Sequence, residues 1–209
     1  MIEQVRGWLP AAATTSLLDL DGLYANQKQP AIRAWGDTLL EIRSHARPAV
    51  EGPPLSIRRN AVFGSLRRTL TPRDWRPDGA IQVTLAVDPA HCAAARWDLV
   101  DPLYSWPSWS QLKEYLLDQG FDPKFLHEAV SPLDHAEAFM QVDSLGAAAY
   151  VESLPAAVLT AILDYFEAPI DSYLDTWRPL ASASREASDG EWEVIVPRNG
   201  LVSVRTDSV

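Results

Sequence analysis

No disulfide can form within this chain, because its 209 residues hold a single cysteine, Cys92. That lack excludes the disulfide-stapled secreted domains and fits a reducing compartment. No stretch approaches the roughly 20 apolar residues that span a bilayer. Residues 1–21 carry Glu3, Arg6, Asp19 and Asp21 around a short Ala/Thr segment. A secretory leader would instead have a basic start and an apolar run, so a cytoplasmic location without membrane attachment is the expectation. Lysine is scarce as well, 3 residues against 15 arginines, a preference that matches a GC-rich bacterial genome.

Catalytic signatures are also missing. There is no Gly-x-Ser-x-Gly elbow, the nearest pattern being Phe63-Gly64-Ser65, and no glycine-rich run leads into Lys-Ser or Lys-Thr, which removes the phosphate loop. Leu18-Asp19-Leu20-Asp21-Gly22 is similar to the opening motif of haloacid dehalogenase-like phosphatases. Leu23 stands where that family has threonine, however, and the chain contains no Asp-Asp pair to hold magnesium. His91, Cys92, His127, Glu128, Asp134, His135 and Glu137 are metal-capable, but none falls into His-Glu-x-x-His or Cys-x-x-Cys spacing. No metal and no cofactor are expected. A Cys92–His dyad stays open, since such pairs meet in space and not in sequence. Cys92 itself, following Asp88-Pro89, is read here as lying in the first turn of a helix.

What the chain does have is uneven charge. Residues 1–42 carry a net of −2, residues 43–76 set eight arginines against Glu51 and Asp74 for +6, and residues 77–209 carry −14. Most of such a surface repels nucleic acid and attracts basic partners. Within the arginine stretch, Arg58, Arg59, Arg67 and Arg68 are candidate phosphate ligands, because guanidinium pairs grip phosphate bidentately; Arg73 and Arg76 belong to the same stretch. The competing reading is internal, with the arginines neutralising the chain's own acids.

Helix signals are clear. Ile32, Trp35, Leu39 and Ile42 form one stripe over 31–44 behind Pro30, with Arg33 and Asp37 as a flanking pair. Ser108 to Gln111 reads as a capping box with Gly120 as the stop. Asp122-Pro123 opens a helix through Val130, and Ser131-Pro132 opens another. Residues 154–167 predict a core helix ended by Pro169, followed by a short helix over 171–177. Alternation predicts a strand at Ile81 to Val87, and Leu55 to Arg59 is a further strand candidate. Trp192 to Val196 and Leu201 to Arg205 flank Asn199-Gly200, a hairpin signal. Residues 178–189 read as a loop. The expected fold is α+β: a mainly antiparallel sheet with several packed helices and a C-terminal β-hairpin, in a single domain over 1–209 with a loop or linker at 46–54.

Eight tryptophans are many for this length. Trp106 and Trp109 lie in a corner bordered by Asp98, Asp101, Glu114 and Asp118. Aromatics inside an acidic rim have the composition of a protein-binding hot spot, unless the corner turns them inward. In size, acidity and lack of catalytic motifs the chain resembles the immunity proteins that neutralise polymorphic bacterial toxins. The resemblance implies a non-catalytic inhibitor that binds a basic, often nuclease, cognate toxin through an acidic surface. It assigns no role to any single residue. Two other classes fit the same sequence: a small hydrolase or nucleotide-handling enzyme with an arginine/histidine site, and an adaptor or chaperone of a secretion or phage-like assembly.

Overall fold

A computed structural model describes residues 2–10, 29–47, 52–66, 80–129, 138–183 and 191–206. In chain order the elements are β1 (Glu3–Pro10), β2 (Gln29–Pro30), α1 (Ala31–His45), a 3-10 turn (Leu55–Asn60), β3 (Ala61–Ser65), β4 (Ala80–Val87) and β5 (Ala93–Arg96). Then follow α2 (Asp101–Tyr104), α3 (Trp106–Asp118), α4 (Pro123–Ala129), β6 (Gln141–Val142), α5 (Ser144–Ser153), α6 (Ala156–Tyr165) and α7 (Glu167–Thr176). The chain finishes with β7 (Arg178–Pro179), α8 (Leu180–Ala183), β8 (Trp192–Pro197) and β9 (Leu201–Thr206). The fold class is α+β, and its main sheet is antiparallel throughout.

The chain divides into two compact units, Met1–Gln27 with Ala49–Asp98 and Thr176–Val209, and Lys28–Pro48 with Leu99–Asp175. The second of the four boundaries between them falls at 48/49, within the proline-rich 46–54 stretch. Each unit has its own core.

The sheet unit carries seven strands in the order β7-β5-β8-β3-β1-β4-β9. Valine and leucine alternate along β4, so Val83, Leu85 and Val87 enter one cluster with Val5, Val62, Val194, Val196 and Leu201. The two C-terminal strands stand where alternation places them, but they do not pair with each other. β8 lies between β5 and β3, whereas β9 pairs with β4. The Asn-Gly sequence makes a 3-10 turn over Arg198–Gly200 and hands the chain across the sheet instead of folding it back. In a flat sheet β8 and β9 would lie roughly 19 Å apart, at about 4.8 Å per strand, while the link from Pro197 to Leu201 reaches at most about 14 Å. The sheet must therefore curl. It does so where Asp88 N–H donates to the Gly200 carbonyl at 2.8 Å. Close strand crossing needs glycine at one point: a Cβ on Gly64 would stand 2.4 Å from Val5 Cγ1 and 2.9 Å from the Arg6 carbonyl.

Three expectations for this unit change. Leu55 to Arg59 is a 3-10 turn, and the strand begins after it. Cys92 directly precedes a strand and does not lie in the first turn of a helix, because Asp88 accepts the Ala90 N–H at 3.1 Å and closes a tight turn. Residues 178–183, read as loop, form β7 and α8, where Leu180 N–H donates to the Cys92 carbonyl at 2.9 Å.

In the helical unit α1 is central, with every residue from Ala31 to Leu40 buried except Arg33. Its Ile32-Trp35-Leu39 stripe points into a ring cluster: Trp35 lies 5.7 Å from Trp109 and 6.1 Å from Tyr150, and Trp109 lies 5.0 Å from Phe166. Helix α3 starts at Trp106, one turn-corner earlier than the Ser108 box predicts, and no side chain caps it. Its other end is as expected. Gly120 has φ +86°, its N–H donates to the Leu117 carbonyl, and Phe121 N–H donates to the Leu116 carbonyl, the paired bonds of a Schellman ending. Asp122 Oδ1 accepts from Lys124 and Phe125 N–H at 2.9 Å, capping α4 as Asp-Pro predicts. The core helix expected over 154–167 is α6, which is set off from α5 by a 109° bend at Leu154-Pro155. Pro169 does not end α6 but sits in the first turn of α7, where proline lacks only a free N–H. No single helix among the described residues is long and apolar enough to cross a membrane.

Candidate protein-binding surface

Arg58 shows first what the arginine stretch does. The 3-10 turn that carries it lies against β8, with Leu55 buried beneath. The Arg58 side chain is wholly enclosed, its Nη1 lies 2.6 Å from Glu193 Oε1, and its guanidinium sits 5.1 Å from the centre of the Phe63 ring. Register places Ser65 opposite Glu193 and Phe63 opposite Ile195, so ring and carboxylate share one face of the sheet. The phosphate-binding reading fails for Arg58, since its charge is already matched and no anion reaches it. Arg59 is half-buried beside it. Arg67, Arg68, Arg73 and Arg76 lie outside the described residues.

The other two arginines of that stretch also serve the chain itself. Arg43 donates to both carboxylate oxygens of Asp171, at 3.0 and 2.9 Å, and to Glu167 at 2.7 Å. Arg47 meets Asp175 at 2.9 Å. The Arg43 hydrogen bonds hold the Asp171 carboxyl below its usual range, Arg47 adding to the effect.

Cys92 is fully buried, and burial pushes its thiol up to about 12, with Asp88 and Glu3 adding negative potential. Enclosed from solvent and held as the thiol, Cys92 has the environment of a structural cysteine and not of an activated nucleophile. Among the described residues no group of three or more His, Cys, Asp and Glu side chains is placed to hold a metal ion. Asp19, Asp21, Asp134, His135 and Glu137 lie outside them.

The tryptophan corner divides. Trp109 is a core residue, 4% exposed, whose indole N–H donates to the Leu103 carbonyl at 2.7 Å. So little of it reaches the surface that it offers a partner no contact. Trp106 is half-buried, with its ring 6.5 Å from that of Phe139. Asp101, Glu114 and Asp118 are exposed on the same helical unit. Asp98 belongs to the sheet unit and is held by Arg96 through a two-pronged ion pair; that contact holds its carboxyl below the usual range.

The structure adds side chains that the sequence did not single out. Phe139 and Met140 are 50% and 52% exposed, Leu145 66%, and Phe125 and Leu117 around 40% and 37%. All five lie in the helical unit. The one sequence signal for the first pair is an apolar doublet just ahead of Asp143, the residue that caps α5 by accepting Gly146 N–H at 2.7 Å. Acidic side chains interleave with them: Asp118 follows Leu117, Asp122 precedes Phe125, and Asp143 lies between Met140 and Leu145. Charge is segregated in the same way. The helical unit holds 15 acidic and 6 basic residues, a net of −9, whereas the sheet unit holds 13 and 12, a net of −1. Comparison with family models, curated proteins and solved structures finds no match for this chain.

Proposed function

We propose that the chain is a non-catalytic protein-binding module, an immunity or inhibitor protein that neutralises a basic toxin by binding it through the acidic helical unit. The observation that carries this reading is the segregation of charge, −9 on one unit and −1 on the other. A field of one sign concentrated on one unit speeds encounter with a partner of opposite sign and orients it before contact. Exposed apolar side chains among the acids then supply the short-range hold that exposed ion pairs lack. The enzyme reading loses its first arginine to Glu193, which favours binding over catalysis.

The test uses the tagged full chain to capture proteins from its host at low and at physiological salt. One basic protein should be recovered in near-stoichiometric amount, with recovery falling as salt rises. The paired change Glu114→Lys and Asp118→Lys should reduce it further. Absence of any basic partner at low salt would overturn the reading.

A further inference from the structure

Within the helical unit one apolar surface is held out by its backbone. Helix α1 begins by donating Ala31 N–H to the Met140 carbonyl at 2.9 Å. Two residues pair on either side: Pro30 opposite Gln141 and Gln29 opposite Val142. The turn at Phe139 and Met140 is thus fixed by main-chain bonds, while Ala138 beside it is fully buried. Fixed this way, the chain leaves about half of each large apolar side chain in water, and Phe139 leans on the half-buried ring of Trp106. Phe139 and Met140 on a pinned turn, with the Trp106 ring beside them, make an adaptable apolar seat whose backbone has little entropy left to lose on binding.

Building on the reading of a basic partner, we infer that Trp106, Phe139 and Met140 form the anchor site for a basic, amphipathic protein segment, whose apolar face meets these three side chains and whose lysines or arginines face the unit's acids. Asp101 and Asp143, both exposed, lie five residues before Trp106 and three after Met140. Charge decides between candidate occupants. A second copy of this chain would bring another net −9 to a unit that already carries it, and like charge opposes that contact. A basic segment gains from the same field.

Methionine usage provides a direct readout, since the chain has two, Met1 and Met140. The full chain, labelled with carbon-13 at its methionine methyls, is titrated with a synthetic amphipathic helix of leucine and lysine. A lysine/glutamine peptide of equal charge serves as the control, and fluorescence anisotropy follows binding in parallel. The Met140 methyl, assigned by its loss in Met140→Leu, should shift saturably with the leucine-bearing peptide. That peptide should bind about tenfold more tightly than the control at physiological salt. Phe139→Ser should remove the preference while retaining the salt-sensitive binding of both peptides. If both peptides bind equally and Met140 does not move, the anchor is wrong and the acidic reading stands. If neither binds even at low salt, both fail. Self-association of the unliganded chain that Phe139→Ser abolishes would make this an interface between copies and overturn the inference.

Discussion

Arg58 and Glu193 are opposite charges sealed under a 3-10 turn, Arg58 fully enclosed and Glu193 7% exposed. Enclosure makes each dependent on the other, because a lone buried charge has neither water nor counter-charge. Arg58→Met should therefore lower unfolding stability by about 3–5 kcal/mol. The double change Arg58→Met with Glu193→Leu should recover most of that loss, since it leaves nothing charged in the enclosure. Urea unfolding of the wild type, the single and the double variants measures this, and a double variant as weak as the single would show that packing around Arg58, not its charge, matters. The sequence displayed Arg58 as one member of a basic run. Nothing local distinguishes an arginine that will meet a glutamate 135 positions away from one that will stay in water.

Helices and strands were legible where periodicity is local, and not where pairing decides. The Ile32-Trp35-Leu39 stripe, the Asp122-Pro123 cap, the Gly120 stop and the alternation in β4 are all written within a few residues. β5 is an alanine run without alternation, so its strand character comes from β8 and β7 on either side. Asn199-Gly200 marks a turn correctly but cannot say which strand each arm will join. Among surface residues the acids were visible singly, whereas the exposure of Phe139 and Met140 arises from how β2 and α1 pin the turn. At this scale one prediction concerns the clamp between α1 and α7, where Arg43 and Arg47 meet Glu167, Asp171 and Asp175. Because Asp171 has a depressed carboxyl, its contribution is complete above the ordinary aspartate value near 4 and fades as pH falls through the depressed one. Arg43→Met should cost about 1 kcal/mol at neutral pH, and progressively less as pH is lowered below about 4. Denaturation midpoints of wild type and variant across that range should converge; a constant gap would assign the cost to lost packing.

Neither unit is a continuous stretch of chain. The sheet unit is assembled from three segments and the helical unit from two, so neither can be excised by a single cut. Strand β8 supplies a neighbour to both β5 and β3, and β9 covers β4. Removing residues 191–209 should therefore collapse the whole sheet unit and not merely trim its edge. The shortened chain should bind a hydrophobic dye and lose protease resistance across 2–10 and 52–66, and unchanged resistance would refute the topology. The same arrangement sets a timetable during synthesis. By the time Trp192 emerges, every segment of the helical unit has already been made. β3 has by then spent more than half the chain's elongation, and β5 a little under half, without the strand that joins them, and β4 has waited for β9. Open edges of that kind are sticky, and long-range pairing is slow to close. The nascent protein thus carries its acidic, helix-forming segments ahead of its last strands, and their mutual repulsion helps neighbouring unfinished chains stay apart until the sheet can shut.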